Sequence, residues 1–331
     1  MGALDAFITS TLGLTKAPPY LGTCALAFVG FLLVHQVLAP WGSRRWAPGA
    51  FGKLDGGRGR NAWSIHVVSQ LHALIIVPYA LWVIAHESAA PDRAFGWDEN
   101  VGHVHAIACG YFLWDSLDAV VNYTDAGFVV HGEFAFYSYE RVEADVGLVF
   151  GVGIACLAIY TLSYKPFVAY YGVRCLLWET STFFLNIHWF MDKTGRTGSR
   201  AQLVNGFFLL SAFFGVRILY GGMVSYDFLH TLVQVRREVP VVYVLVYGIG
   251  NFVLTSLNWF WFYKMISALR RRFSDEDDGV RKHHRHEERR RLVNGNGAAH
   301  GDGDVHVDAE EGIVRSTGAE GVGVRAGYGT R

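Results

Sequence analysis

The chain has 331 residues, of which 51% are apolar, 15% are aromatic and only 18% are charged, and its formal net charge is zero. Its mean hydropathy of +0.22 is unusual for a soluble globular protein, so the composition argues against that class and favours an integral membrane protein.

Seven stretches are long and apolar enough to form membrane-spanning helices. Such a helix needs about 20 mostly apolar residues, because the hydrocarbon core is about 30 Å thick and each residue rises about 1.5 Å. The first stretch lies far from a basic segment and lacks a small-residue cleavage site, which favours a span over a removed signal peptide. We therefore predict an all-α, polytopic integral membrane protein with about seven transmembrane helices, at 21–39, 63–85, 101–121, 145–163, 166–189, 202–221 and 241–263.

The charges of the loops predict an orientation, because Lys and Arg accumulate on the cytoplasmic side of short loops. The loop after the first span, the loop at 191–201 and the segment after the last span are basic, whereas the loop after the second span holds four acids against Arg93. We expect the amino terminus to be outside or lumenal and the carboxyl terminus to be cytoplasmic. This requires an even number of crossings between residues 62 and 264, which six spans satisfy.

Segment 128–140 has apolar residues but is an unfavourable span. Its apolar part, FVVHGEFAFYSY, is too short to cross the bilayer. The stretch contains Glu133 and is followed by Glu140 and Arg141, and such groups are costly in hydrocarbon. We predict that this segment is re-entrant, interfacial or part of one interrupted helix.

Residues 271–331 form a third region, after an N-terminal segment at 1–50 and a membrane domain at 51–270. They are rich in Arg, Asp, Glu, His and Gly and lack apolar periodicity, so we predict a disordered cytosolic tail. The acids of the tail balance its basic run RKHHRHEERRR, which favours a solvated surface that touches anionic lipid headgroups over a nucleic-acid site. The four cysteines show no metal-binding spacing, and we predict neither a metal nor a cofactor.

Polar side chains recur at helical spacing inside four predicted spans. An ionisable group at bilayer depth costs at least about 2.5 kcal/mol, so it normally faces the bundle interior and has a partner. We expect Arg217 to neutralise Glu179, Asp115 or Asp118, with a histidine as the other candidate partner of Glu179. The alternative is a purely structural polar network that fixes the register of the helices. It also predicts that these side chains face the interior of the bundle. The stripes contain His66, Ser69 and His72; Tyr111, Trp114, Asp115 and Asp118; Glu179, Thr182 and Asn186; and Phe213, Phe214, Arg217 and Tyr220. His35, near the end of a span, is expected at the membrane interface, and Asp227 in a loop.

Four motifs resemble the TLC domain, which ceramide synthases, the translocating-chain-associating membrane protein and other TLC-domain proteins share. They are WSIHVVSQLHA at 63–73, GYFLWD at 110–115, ETSTFFLNIHWF at 179–190 and NGFFLLSAFFGVR at 205–217. Their order and spacing match over about 51–270. The resemblance implies a helical bundle in the endoplasmic reticulum or a related endomembrane, with a role in lipid synthesis, sensing or distribution.

The chain departs from the ceramide synthase pattern at the favoured catalytic centre. The synthases carry paired histidines on the helix after the aspartate-bearing span, whereas the candidate here is the single His131. One imidazole can still act as a general base. The distance from His131 to Glu179 is also longer than the family's. We infer that 132–152 is either a lineage-specific insertion or a translated intron.

Three functions are compatible with this pattern. In the first, the protein binds or senses a membrane lipid in lipid homeostasis, through a site formed by His72, Asp115, Asp118, Glu179, Asn186 and Arg217. In the second, an acyl-CoA-dependent N-acyltransferase resembling ceramide synthase uses His131 to deprotonate an amine, while Asp115 and Asp118 orient it and Arg217 binds an anionic group. In the third, the chain is a translocon-associated scaffold or chaperone.

Overall fold

The computed structural model describes residues 2–54, 56–88, 91–122 and 146–296, with side chains described for 2–54, 56–88, 91–122 and 153–270. The regular structure of these segments is helical. We number the main helices α1 (Pro18–Trp46), α2 (Gly56–Ala85), α3 (Glu99–Val121), α4 (Val146–Leu162), α5 (Ala169–Cys175), α6 (Glu179–Lys193), α7 (Arg200–Gln234) and α8 (Val241–Asn296).

Five of these helices are long and apolar enough to cross a membrane: α1, α2, α3, α7 and the portion of α8 from Val241 to Arg270. Large apolar side chains cover their outer surfaces, as Leu26, Phe207 and Phe252 show with exposures of 75%, 68% and 72%. A water-soluble protein would bury most of such residues, whereas a membrane protein exposes them to lipid. The prediction of an all-α polytopic membrane protein is thereby confirmed.

The fourth and fifth predicted spans have a different form from the other five. The described part of the fourth is a shorter apolar helix, Gly153–Leu162, at the end of α4. The fifth is interrupted: α5 ends at Cys175, a 3₁₀ turn occupies Leu176–Trp178, and α6 begins at Glu179. The break places the carboxylate of Glu179 at the first position of a new helix.

Side-chain caps set the start of two spans. The Asp98 carboxylate accepts a hydrogen bond from the Asn100 N–H at 2.8 Å, which begins α3. The Ser199 hydroxyl accepts one from the Gln202 N–H at 3.2 Å, which begins α7. Each cap satisfies a backbone donor that the first helical turn leaves open. The capping residues therefore explain why these helices begin where their loops end.

Helices α1 and α3 pack with their backbones in contact. Gly102, Ala106 and Gly110 recur at every fourth position on the buried face of α3. A Cβ atom added at Gly102 would lie 2.2 Å from the Tyr20 ring, and one at Gly110 would lie 2.6 Å from the Cys24 carbonyl oxygen. Small residues at such spacing let membrane helices approach closely. Larger side chains here would separate α1 from α3.

Several loops meet at one end of the bundle and are held by polar contacts, and we call this the ion-paired end. The Val168 N–H donates to the Ala94 carbonyl at 2.7 Å, and a guanidinium nitrogen of Arg93 lies 2.6 Å from Asp227 Oδ2. Asp227 was expected in a loop, but α7 continues to Gln234 and carries it. This prediction was wrong because the helix extends beyond its most apolar part.

The loops between α1 and α2 and between α6 and α7 lie at the opposite end, which we call the basic end. There the Trp63 indole N–H donates to the Ser43 hydroxyl at 2.8 Å, and the Trp63 and Trp189 rings pack edge to face at 5.8 Å. Both predicted basic loops therefore share one end of the bundle. The exposed cations of this end include Arg44, Arg45, Lys53, Arg58, Arg60, Lys193, Arg196 and Arg200.

The last helix continues beyond the membrane domain. By its internal contacts the chain divides into compact units at Met1–Arg271 and Arg272–Arg331, and α8 extends through Asn296. The first part of the predicted disordered tail is thus helical, while residues 297–331 lie outside the described part of the chain. The predictions for His131 and segment 128–140 also fall outside it, as does most of the inferred insertion at 132–152.

Candidate functional site

A histidine, a tyrosine and a glutamate from three helices meet in the middle of the bundle, and we call them the central cluster. The rings of His72 on α2 and Tyr111 on α3 stack face to face, with centroids 3.7 Å apart and planes 2° from parallel. Phe31 on α1 packs edge-on to His72. His72 Nδ1 lies 3.9 Å from Oε2 of Glu179, the first residue of α6. Aromatic packing therefore holds an imidazole beside a carboxylate.

Burial differs between the two polar members of the central cluster. The His72 side chain is fully buried, whereas that of Glu179 is 18% exposed. Neither ring nitrogen of His72 makes a hydrogen bond within the described part of the chain. The imidazole therefore lies behind the carboxylate, and Glu179 is the member that a ligand can reach.

Arg217 contacts the first turn of α6, close to Glu179. Its Nε donates to the Ser181 hydroxyl at 2.9 Å, and Nη2 lies 3.4 Å from the Thr182 hydroxyl. Arg217 lies in a wide π-helical segment of α7, from Phe214 to Tyr220. Such segments are frequent at functional sites. The guanidinium of α7 is thus bonded to residues two and three positions after Glu179 on α6.

Asp115 lies one helical turn from Tyr111 on α3 and faces α4. A Cβ atom added at Gly153 would lie 3.2 Å from its Oδ2 and 3.6 Å from the Ser116 hydroxyl. The absence of a side chain at Gly153 therefore makes room for two polar groups between α3 and α4. Asp115, which is partly buried, therefore lies between α3 and α4, one turn along α3 from Tyr111.

Asn186 lies in a second group, between α2 and α6 and nearer the basic end. Its Oδ1 lies 2.8 Å from His66 Nδ1, and its Nδ2 donates to the Ser69 hydroxyl at 3.2 Å. The His66 ring stacks on Trp189 with centroids 3.9 Å apart. Asn186 is 1% exposed, and both ends of its amide are bonded. This group fixes the register of α2 against α6.

Asp118 lies in a third group near the basic end. It accepts hydrogen bonds from Asn61 at 3.2 Å and Asn122 at 2.9 Å, and its Oδ1 lies 3.6 Å from His35 Nδ1. The His35 ring packs edge-on to Trp114. His35 was expected at the membrane interface. It is also buried, at 3% exposed, because a wide π-helical segment of α1 carries it against α3. Its depth relative to the membrane stays a prediction.

The structure therefore divides the residues that the sequence grouped together. His72, Glu179 and Arg217 lie around the start of α6, whereas Asp115 lies between α3 and α4. Asn186 and Asp118 have other partners. Asn61 was missed as a contact of Asp118, because it precedes the predicted span at 63–85. Ser181 is adjacent to the polar stripe of Glu179, and that adjacency was the available signal for its contact with Arg217.

Sequence relatives agree with this architecture. A family model described as the TLC domain matches residues 62–267. A TLC domain-containing protein of Schizosaccharomyces pombe is 34% identical over 279 residues, covering 83% of this chain and 88% of its own. Human TLC domain-containing protein 4 is 26% identical over 251 residues, covering 73% of this chain and 86% of its own.

A third relative carries a name of a different kind. Topoisomerase I damage affected protein 4 of Saccharomyces cerevisiae is 27% identical over 212 residues, which cover 62% of this chain and 68% of the relative. The family model and the fission yeast relative each span most of the membrane domain, and the predicted resemblance is confirmed. This chain is an integral membrane protein that belongs to the TLC-domain family.

Proposed function

We propose that this protein binds or senses a membrane lipid and acts in membrane lipid homeostasis. The observation that carries the proposal is the position of Glu179, a partly exposed carboxylate in the middle of a membrane bundle, beside a buried imidazole and near a guanidinium. Ionisable groups at this depth are expensive and typically mark a pathway or a ligand site. The headgroup of a lipid is a polar ligand that is present at high concentration around such a bundle.

The structural alternative is weaker for the central cluster than for the Asn186 group. The Asn186 amide already fixes α2 against α6 through two hydrogen bonds. The contact of His72 with Glu179 is longer than a hydrogen bond, at 3.9 Å. A contact of that length fixes the register of α2 against α6 less tightly than the two hydrogen bonds of Asn186 do.

The interruption between α5 and α6 supports the same conclusion. Discontinuous helices in membrane transporters form binding sites near the midplane, because the helix start presents backbone donors and polar side chains. Here the break at Leu176–Trp178 precedes Glu179, Ser181 and Thr182 directly. We propose that Glu179, Asp115 and Arg217 contact the headgroup of a phospholipid or sphingolipid in the endoplasmic reticulum or another endomembrane. The buried side chains of His72, Ser181 and Thr182 hold Glu179 and Arg217 in position.

The orientation is part of the proposal. The two basic loops share one end of the bundle, and the rule that basic loops remain in the cytoplasm supports a cytosolic basic end and carboxyl terminus. A headgroup at the central cluster would then lie between the two leaflets. This position suits a protein that transfers a lipid between leaflets or senses one.

Replacement of Glu179 in cells that lack the chromosomal gene tests the proposal. We expect deletion to change the membrane lipid profile, and the wild-type chain to restore it. Glu179→Gln keeps the shape of the side chain but removes its charge, so we expect normal protein abundance with the deletion profile. Glu238→Gln, at an exposed loop position, is the matched control and should restore the wild-type profile.

The outcome separates the competing functions. Full restoration by Glu179→Gln would contradict a lipid site at the central cluster. A deletion profile limited to ceramides, reproduced by His131→Ala, would instead indicate the acyl-CoA-dependent acyltransferase. An unchanged lipid profile together with stoichiometric recovery of translocon subunits would indicate the scaffold.

A further inference from the structure

The two ends of the bundle differ in whether their charged side chains form ion pairs. At the ion-paired end, Arg93 pairs with Asp227, Arg174 pairs with Glu87 and lies over the Tyr170 ring, and Lys165 donates to the Tyr243 hydroxyl. Acids at this end thus pair with two of its basic side chains, Arg93 and Arg174. These contacts neutralise part of its positive charge.

The basic end has the opposite arrangement. Seven of its exposed cations make no ion pair among the residues whose side chains are described: Arg44, Arg45, Lys53, Arg60, Lys193, Arg196 and Arg200. Asp192, an acid of the same loops, instead accepts hydrogen bonds from Thr197 at 2.7 Å and Gln202 at 3.0 Å. Among the described side chains, exposed cations that make no ion pair are thus concentrated on one surface.

Two exposed tryptophans locate that surface relative to the membrane. Trp41 and Trp46 lie in the last turns of α1 on either side of Arg44 and Arg45, with exposures of 66% and 83%. Tryptophan is enriched at the level of lipid headgroups, because its ring is apolar and its N–H is polar. The arginine pair between them consequently lies at headgroup depth.

We propose that the basic end binds anionic phospholipid headgroups of the adjoining leaflet, with Arg44 and Arg45 as principal contacts. The guanidinium group suits this partner because it donates two parallel hydrogen bonds to a phosphate or carboxylate. Each Lys or Arg near an anionic membrane strengthens the attraction about fivefold. Headgroups favour the assignment over a nucleic acid or an acidic protein, because an integral protein already holds this surface among them.

The site differs from the central cluster in place and in chemistry. It lies at the ends of the spans and recognises net negative charge, whereas the central cluster lies inside the bundle and contains a carboxylate. The basic end therefore serves to retain the protein in membrane regions rich in anionic lipid, independently of which lipid the interior binds.

Retention of lipids by the purified full chain tests the proposal. The protein is placed in nanodiscs of phosphatidylcholine and phosphatidylserine in equimolar amounts, and the lipids that remain bound after transfer to detergent are measured by native mass spectrometry. We expect wild type to retain phosphatidylserine about tenfold more than phosphatidylcholine at low salt. Arg44→Gln with Arg45→Gln should reduce that preference to about twofold or less.

The opposite end supplies a matched control. Arg236→Gln with Arg237→Gln changes another adjacent, exposed arginine pair and should leave the preference unchanged. Arg44→Lys with Arg45→Lys keeps the charge and should retain most of the preference, and this result excludes misfolding as the cause of the loss. An equal preference in the Arg44→Gln, Arg45→Gln variant, or no preference in wild type, would overturn the proposal.

Discussion

Two histidines on α2 show how similar residues serve different purposes in one membrane bundle. His66 and His72 lie six positions apart, are both buried and face α6, and each stacks on an aromatic ring. His66 is bonded to Asn186 at 2.8 Å. Both nitrogens of His72 lack a hydrogen bond among the described side chains, and a carboxylate lies 3.9 Å away.

The difference distinguishes a histidine that holds two helices together from one that lies beside a proposed ligand site. A buried polar group with bonded partners stabilises one register of two helices. A buried polar group without them costs free energy, and a native structure retains it where something else is gained. The His66 group therefore holds α2 against α6, while the position of His72 favours a role in orienting the Glu179 carboxylate toward a ligand.

The largest expected effect on stability comes from Asn186. Asn186→Leu removes two hydrogen bonds and leaves the buried groups of His66 and Ser69 without these partners. We expect a loss of about 1–3 kcal/mol in the free energy of unfolding. Thermal unfolding in detergent micelles measures this loss. An unchanged melting temperature would mean that the Asn186 group does not fix the helix register.

Matched substitutions of the two histidines test the comparison directly. His66→Phe keeps an aromatic ring against Trp189 but leaves the Asn186 carbonyl unbonded, so we expect a loss of about 1 kcal/mol. His72→Phe keeps the stack on Tyr111 and loses no hydrogen bond that the structure describes, so we expect a change within about 0.5 kcal/mol.

In cells, the two substitutions should have the opposite order of effect, with the larger change in lipid profile from His72→Phe. We expect His72→Phe to reproduce the lipid profile of the deletion, because Glu179 loses its neighbouring imidazole. His66→Phe should restore the wild-type profile when protein abundance is matched. Equal stability losses with equal lipid profiles would remove the distinction between the two histidines.

The smallest expected effect is at Ser69. Ser69→Ala deletes a single hydrogen bond, from Asn186 Nδ2 at 3.2 Å. Such bonds between membrane helices contribute about 0.6 kcal/mol on average. A loss of that size, additive with substitutions at Arg217 but not with Asn186→Leu, is expected in the same unfolding measurement.

Local patterns were sufficient for much of the fold. Apolar run lengths predicted the spans because the thickness of the bilayer fixes the length of a crossing helix. Period-3.6 spacing also placed His66, Ser69 and His72 on one face, and all three are buried. The break between α5 and α6 was not predicted. Residues 166–189 are apolar throughout the turn at Leu176–Trp178, so their composition gives no sign that the helix is interrupted there.

The sequence did not predict which polar side chains of different helices contact each other. Helical spacing shows that Glu179, Asp118 and Arg217 each face inward, but side chains on different helices can meet in several combinations. The structure brings Glu179 to His72, one of the two kinds of partner expected for it, and brings Asp118 to His35 and Asn61. Those pairings depend on the depth and rotation of each helix.

By itself the sequence determined that this protein crosses the membrane as a helical bundle, which faces of the helices are polar and which loops are basic. These properties follow from composition and periodicity within one helix at a time. Only the tertiary structure decided that His72 meets Glu179 while Asn186 and Asp118 belong to separate groups. Contacts between helices depend on how closely their backbones approach, as at Gly102 and Gly110, and no single segment encodes that distance.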